Sequence, residues 1–540
     1  MKRERTPIVF VVLILIAAAI YAGIALQPYT HYPQNSPVST DAFYYFSIAE
    51  NLVAGRGLTH DGTVTTNGFQ PLYQALLVPL FALAPDKYAA VNGALLLALL
   101  CHLGSVLLLR AWLRQRYDRA TATIAAALWA CSPVVARQML NGMETPLVVL
   151  ALVALLYVYA TRIRPRPPSA LPARWALGTG ALAGFAYLAR VDLALVLLAF
   201  AADYIWAHRR SPWRAKPRSA CSPVLLVALA ALLVMLPWTL YSWLAFGDPV
   251  PKSAEASRLL AHYASARTPA GMWAANLGRA ATTLAYRNDP LLGTLTLAGE
   301  RVLSASAAQA LSTAATLLGA MLLAAGLRLT RLAGVRLLFA AAALLAWLYP
   351  VVVPANWFYP RYLVLVTLLF AGVYAELLAR LSAAGPRWRR ASTACVALFL
   401  VGCLGLDTHY LRTAHPHAAY QGAIDWIERE TDARHDRIGI YQAEIVPYYI
   451  ENRFINLDGK CNADAMQALI EKRAFDFARE AGVDYIVDRN DVLNALLFRR
   501  SAAIAPEALE KVHSYTGSGQ QWTIYALRRD PRAVPPGSAG

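Results

Sequence analysis

Long apolar runs, most of them free of charge, recur along this 540-residue chain, and short arginine-rich stretches separate them. Hydrocarbon offers no partner to a backbone amide, so runs of this length commit the chain to membrane-spanning helices. Runs near residues 8–26, 88–109, 120–136, 145–161, 175–189, 191–206, 222–245, 307–327, 335–353, 358–379 and 391–411 predict about eleven spans. With the N-terminal cations Lys2, Arg3 and Arg5 held in the cytoplasm, the basic connections 110–119, 162–174, 209–218, 328–336 and 380–390 all fall on that same side. A span at 71–83 would break this pattern, so the segment is expected to be an external juxtamembrane helix. The pair 175–189 and 191–206 is short, with only Arg190 between its members.

A composition of 57% hydrophobic and 15% charged residues excludes a soluble globular protein. The net charge of +17 does not point to nucleic acid, because the arginines gather between spans, where they act as orientation signals. Five of the six cysteines lie in apolar runs, leaving Cys461 alone in a polar setting, and no disulfide framework or CxxC metal site follows. The first apolar run, though it follows a basic segment, is expected to remain as an anchor.

The expected architecture is an α-helical polytopic membrane region over 1–411, an α/β domain over 412–530 and a disordered tail at 531–540. Two external segments, 27–87 and 246–306, join the C-terminal domain on the outer side. In that domain, helical patterns at 423–430 and 463–481 alternate with the strand-like RIGIY, RFINL, DYIVD and QWTIYAL.

The external segments carry the chemistry. DAFYYFSIAENLVAGRGLTHDGTVTTNGFQPLY, from Asp41 to Tyr73, sets a carboxylate, the aromatics Tyr44 and Tyr45 and the amides Asn67 and Gln70 just beyond the first span. Asp41 can cap a helix, or can take a proton from an acceptor hydroxyl. His60 and Asp61 fall in a glycine-rich turn and read as solvated polar residues. Glu144 opens a helix at NGMETP, where a carboxylate also suits the helix dipole. Arg190 and Asp192 lie between two apolar runs, and ionisable groups at that depth pair with each other or with a ligand. Lys252 in FGDPVPK and Arg361 in WFYPRY lie at external span ends beside Tyr359. An arginine there contradicts the positive-inside economy, and a phosphate would suit its guanidinium fork, with Lys252 as a second point charge.

With these residues in view, the chain resembles the GT-C superfamily of polytopic glycosyltransferases, which take sugar from a polyprenyl-phosphate carrier. DAFYYFSIAENLVAGRGLT, TTNGFQPLYQALL, NGMETPL, ARVDLAL, FGDPVPKSAEA, FYPRYL and RFINLDGKCNADA carry the resemblance in this order. Within the superfamily it is most similar to bacterial arabinofuranosyl- and mannosyltransferase-like members of the inner membrane. The resemblance implies that Asp41 acts near the acceptor as base or orienter and that Arg361, with Lys252 as a less secure counterpart, holds the carrier phosphate. Tyr44, Tyr45, Asn67, Gln70, Glu144, Arg190, Asp192 and Tyr359 then line the substrate site. Many members have two acidic residues where this chain has Thr40-Asp41, which puts a metal-bridged carboxylate pair in doubt while leaving a divalent cation open.

The expected reaction is displacement at an anomeric carbon on the periplasmic side, passing a pentofuranose or hexose to a hydroxyl of a glycan, lipid or protein. A transporter or flippase of lipid-linked sugars is the rival, and a membrane scaffold a second. A transporter should show polar or broken spans near the midplane, whereas the polar residues here cluster at span ends.

Overall fold

The computed structural model describes residues 8–27, 37–209, 217–264, 269–332, 334–351 and 358–413, and 418–528 of the C-terminal region. The N-terminal cations, most of the basic connection at 209–218 and the tail at 531–540 lie outside the described residues.

Each expected apolar run carries a helix, but not every helix is long enough to cross a bilayer. Among the described residues, seven are long and apolar enough: α1 (Ile8–Ala25), α4 (Lys87–Leu113), α7 with its π-turn extension (Thr145–Ile163), α10 (spanning over Val224–Phe246), α14 (Ala305–Leu329), α16 (Leu365–Ala383) and α17 (spanning over Pro386–His409). The run at 120–136 is two helices, α5 (Arg119–Ala130) and α6 (Pro133–Met139), bent by 63°; counted as one span, they make eight. Pro133 lacks the amide hydrogen that would continue α5, and it starts α6 at its first turn instead. The remaining runs form α8 (Ala173–Ala189), α9 (Leu193–His208) and α15 (Val335–Val351), of 17, 16 and 17 residues. They are one or two residues shorter than the shortest of the seven, the 18-residue α1. Of the eleven expected spans, seven or eight are thus long and apolar enough among the described residues by length and composition, and the three shorter helices run between the same two ends, α15 bringing Tyr349 to Asp192 and α9 bringing His208 to Arg164 O.

The other helices sit where connections were expected. α2 (Ala42–Val53) and α3 (Pro71–Leu83) follow the first span, and α11 (Lys252–Ala264), α12 (Pro269–Thr282) and α13 (Leu292–Val302) fill the middle segment. In the C-terminal region come α18 (Ala418–Glu430), β1 (Ile438–Ile440), α19 (Val446–Tyr449), β2 (Phe454–Asn456), α20 (Ala463–Ile470), α21 (Ala474–Glu480), β3 (Tyr485–Arg489), β4 (Leu509–Gly517) and β5 (Gln520–Leu527). Their sheet has the order β2-β1-β3-β5-β4, parallel across its first three strands and antiparallel thereafter. The helix expected over 463–481 is two, because Lys472 adopts φ +61° between them.

One apolar core unites α2, α3 and the start of α4 with the sheet region: Phe43, Phe46, Leu77 and Ala94 pack in the same cluster as Ile438, Tyr448 and Trp522. Polar clasps reinforce it. Lys87 Nζ donates to Tyr448 O at 2.6 Å, and Tyr448 Oη donates to Lys87 O at 2.7 Å. Asn92 on α4 donates to Ala25 O at the end of α1. At the far end of α4 and α16, Tyr117 Oη donates to Glu376 at 3.0 Å, and Arg380 joins Glu376 to Leu329 O. The basic connections 110–119, 328–336 and 380–390 thus meet at the end opposite the sheet region.

Candidate active site

Asp41 occupies the N-cap position of α2, yet its side chain caps nothing. Its Oδ2 instead accepts from the Arg361 guanidinium, which also donates to Ser39 Oγ at 3.3 Å. Arg361 stands in a short 3-10 turn, Pro360–Leu363, just before α16. This turn points the side chain away from the helix and lays it on the Tyr359 ring, 4.3 Å from its centroid. The cation is thereby held by a carboxylate and an aromatic face at once. The Asp41 side chain keeps 28% exposure, so the pair is reachable from solvent.

A second cation reaches the same carboxylate from the sheet region. Lys460 Nζ lies 3.9 Å from Asp41 Oδ1, 3.2 Å from Glu444 Oε1 and 3.9 Å from Asp458 Oδ2. It also sits over the Tyr44 ring, 5.0 Å from the centroid, while Tyr44 Oη donates to Asp458. Burial opposes the charge on Asp41, but Arg361 first and Lys460 second outweigh it and hold its carboxyl below the usual carboxylate range. Burial dominates for Glu444 and Asp458 and raises both. The Lys460 ammonium, surrounded by carboxylates, is stabilised in its charged form despite its own burial.

The loop that presents Lys460 is tied to the first external segment. Asp61 Oδ2 accepts from Asn456 N at 3.1 Å, and Asn456 Oδ1 accepts from Gly459 N at 3.1 Å. His60 and Asp61 were expected to be solvated, but His60 is fully buried, packed on Tyr44 and Phe454. Desolvation lowers its pKa to about 4, so it is a neutral packing group under the site. At Gly68 a Cβ would stand 2.5 Å from Lys460 O, so only glycine allows the two segments to approach this closely.

The other expected site residues fall into three groups. Arg190 and Asp192 form a paired fork, Nε to Oδ1 at 3.1 Å and Nη2 to Oδ2 at 2.8 Å, closed by the Tyr349 hydroxyl. Arg190 Nη1 also donates to Arg361 O at 3.2 Å, which braces the turn behind the guanidinium. Around Glu144, which is buried at the start of α7 without capping it, Tyr45 Oη accepts from Gln70 N, and Gln70 Oε1 accepts from Val191 N. Glu144 Oε2 has no hydrogen-bond partner among the described residues. Asn67 turns towards the middle segment, donating to Ser242 Oγ at 2.7 Å and accepting from Lys252 N at 3.1 Å. The Lys252 ammonium is half-exposed and faces Asp248 at 3.8 Å and Glu255 at 3.7 Å, whereas Lys460 is the lysine beside Asp41 and Arg361. Among the described residues, no group of three or more histidine, cysteine, aspartate or glutamate side chains could hold a metal ion.

A family model described as dolichyl-phosphate-mannose-protein mannosyltransferase matches residues 71–241. A sequence search of curated proteins returns no match. Among solved structures, the chain is similar to ArnT of Cupriavidus metallidurans bound to undecaprenyl phosphate, at 14% identity, covering 96% of this chain and 97% of that one with a TM-score of 0.58. The apo state of the same ArnT aligns with a TM-score of 0.57, at 13% identity over 96% and 97% of the two chains. The oligosaccharyltransferase of Archaeoglobus fulgidus, in complex with Zn and sulfate, aligns at 14% identity over 95% of this chain and 73% of that one, with a TM-score of 0.50. The chain has the GT-C fold.

Within this GT-C frame, sequence reasoning singled out Asp41 and Arg361, which meet, but passed over Lys460, Glu444 and Asp458. The lysine was in view inside RFINLDGKCNADA, which carried the resemblance, yet only its RFINL part was given a structure, as a strand of the C-terminal domain. A clue lay in the spacing of Asp458, Gly459 and Lys460, since a glycine between two charges marks a tight turn, and Gly459 does take φ +80°.

Proposed function

We propose that this membrane protein is a glycosyltransferase that moves a sugar, pentofuranose or hexose, from a polyprenyl-phosphate carrier to a hydroxyl acceptor at the periplasmic face of a bacterial inner membrane. The observation that carries the reading is the pairing of Asp41 with Arg361 at the end of the helices where the sheet region docks, reachable from solvent. The GT-C fold supports the reaction class, and the family-model match supports a lipid-linked donor.

In the reaction the acceptor oxygen attacks the anomeric carbon as the bond to the carrier phosphate breaks. The hydroxyl proton passes to Asp41, and the electron pair leaves on the phosphate, where Arg361 meets the growing negative charge. Arg190, Asp192 and Tyr349 keep the Arg361 turn in place, and Tyr359 backs its guanidinium. The isoprenoid stays in the bilayer, so the phosphosugar alone has to enter the site. The 63° break between α5 and α6 is a feature a transporter would share, but the paired Asp41 and Arg361 lie at the helix ends where the sheet region docks, which favours the transferase.

The test is transfer of radiolabelled sugar from polyprenyl phosphate by the purified protein and its Asp41→Asn variant. General-base catalysis contributes about 10²- to 10⁴-fold, and a loss of that size is expected. Full transfer by the variant would end this reading.

A further inference from the structure

On the reading above, Asp41 accepts a proton while Arg361 serves the departing phosphate, yet in the structure these two groups hold each other. The carrier phosphate gains a second negative charge as the sugar leaves, and a guanidinium fork that turns to it gives up its hold on Asp41. A carboxylate left beside a phosphate without a cation takes up a proton and can no longer accept one from the acceptor.

The carboxylate has a second hand-hold. Its Oδ2 faces Arg361 and its Oδ1 faces Lys460, one cation to each oxygen. We propose that Lys460, a residue of the sheet region, is a positioning residue that keeps Asp41 charged and oriented once the phosphate draws Arg361 away; this rests on the transferase reading.

Lys460 is built to stay where it is. Its amide donates to Asp458 Oδ1 at 2.8 Å, its carbonyl is pressed against Gly68, and its side chain is 17% exposed. The groups near Asp41 are Arg361 and Tyr362 from the 3-10 turn, Tyr359 just before it, Ser39 before α2, and Lys460 with Glu444 beside it. With Arg361 engaged by phosphate, Lys460 is the cation left among them. Glu444 Oε2 makes no hydrogen bond among the described residues, and Glu444 at 3.2 Å and Asp458 at 3.9 Å together hold the ammonium. Lys460 keeps its three protons throughout; it neither donates to the leaving group nor takes the acceptor's proton.

The experiment is infrared difference spectroscopy of the full-length protein at pH 6.5, with undecaprenyl phosphate as the added probe. In wild type the probe should bind and no carboxylic-acid carbonyl band should appear. In Lys460→Met the band should appear on adding the probe. It should be absent from Lys460→Arg, which restores the charge, and from Lys460→Met combined with Asp41→Asn, which assigns it. Should Lys460→Met not fold because two buried carboxylates lose their cation, Lys460→Gln with Glu444→Gln removes one of them and carries the same expectation. Probe binding without a band in either lysine variant, or a band that persists when Asp41 is Asn, overturns the lysine inference while leaving the transferase reading intact. No binding of undecaprenyl phosphate to wild type overturns both.

Discussion

A carboxylate at the first turn of a helix normally accepts from the amides of that turn, and Asp41 does not. Its two oxygens are taken by cations from elements far along the chain, and this sets a pH dependence. Burial pushes the Asp41 pKa up, but Arg361 and Lys460 together bring it below the ordinary carboxylate value of about 4. A base is lost when it gains a proton, so transfer should hold level from neutrality down to about pH 4 and fall only below it. A pH–rate profile of kcat/KM checks this; an acid limb near pH 6 would contradict it. His60 gives the complementary expectation for stability. Its folded pKa is lowered to about 4, against about 6.5 when unfolded, so the unfolded chain takes the proton first as pH falls. The contribution of this buried neutral ring is complete above about pH 6.5 and is lost towards pH 4. Thermal unfolding of wild type and His60→Gln in that range should converge as the pH drops. At this scale Asp41 and Arg361 were legible because each is out of keeping with its local setting. Lys460 was not, because nothing near it in the chain reveals that its partners include a residue of the first loop.

Helices α8 and α10 pack closely, and two glycines spaced four apart make this possible. A Cβ at Gly180 would stand 2.2 Å from Val227 O, and one at Gly184 would stand 2.7 Å from Val234 Cβ. This is the small-residue contact that lets helices approach where lipid competes equally for apolar side chains. Gly184→Leu should therefore cost about 1–3 kcal/mol, as overpacking does, and lower the melting temperature in detergent. Gly178→Leu, with no atom within 4 Å of its Cβ position, is the control and should change little. Apolar runs were readable as helices, but their exact lengths were not, since hydropathy does not register a 63° break or a helix one or two residues shorter than its neighbours. Strand β4 escaped for a different reason. Glu510, Lys511 and Val512 are exposed along an edge strand, and charge on such an edge guards against pairing with another chain while erasing the alternation that marks a strand.

Across the whole molecule, the sheet region and the first external segment form one apolar core, while the basic connections gather at the opposite end. If arginine sets the orientation, a membrane-impermeant thiol reagent applied from the periplasmic side should label Glu510→Cys and spare Arg116→Cys. The reverse pattern would invert the topology. The clasp of Lys87 with Tyr448 and the contact of Gly68 with Lys460 have a temporal consequence as well. Asp41 leaves the ribosome long before Lys460 has been made, so the nascent protein is inserted with half of this charge cluster missing. On the transferase reading, only a finished chain, folded back on its own beginning, can spend a carrier lipid.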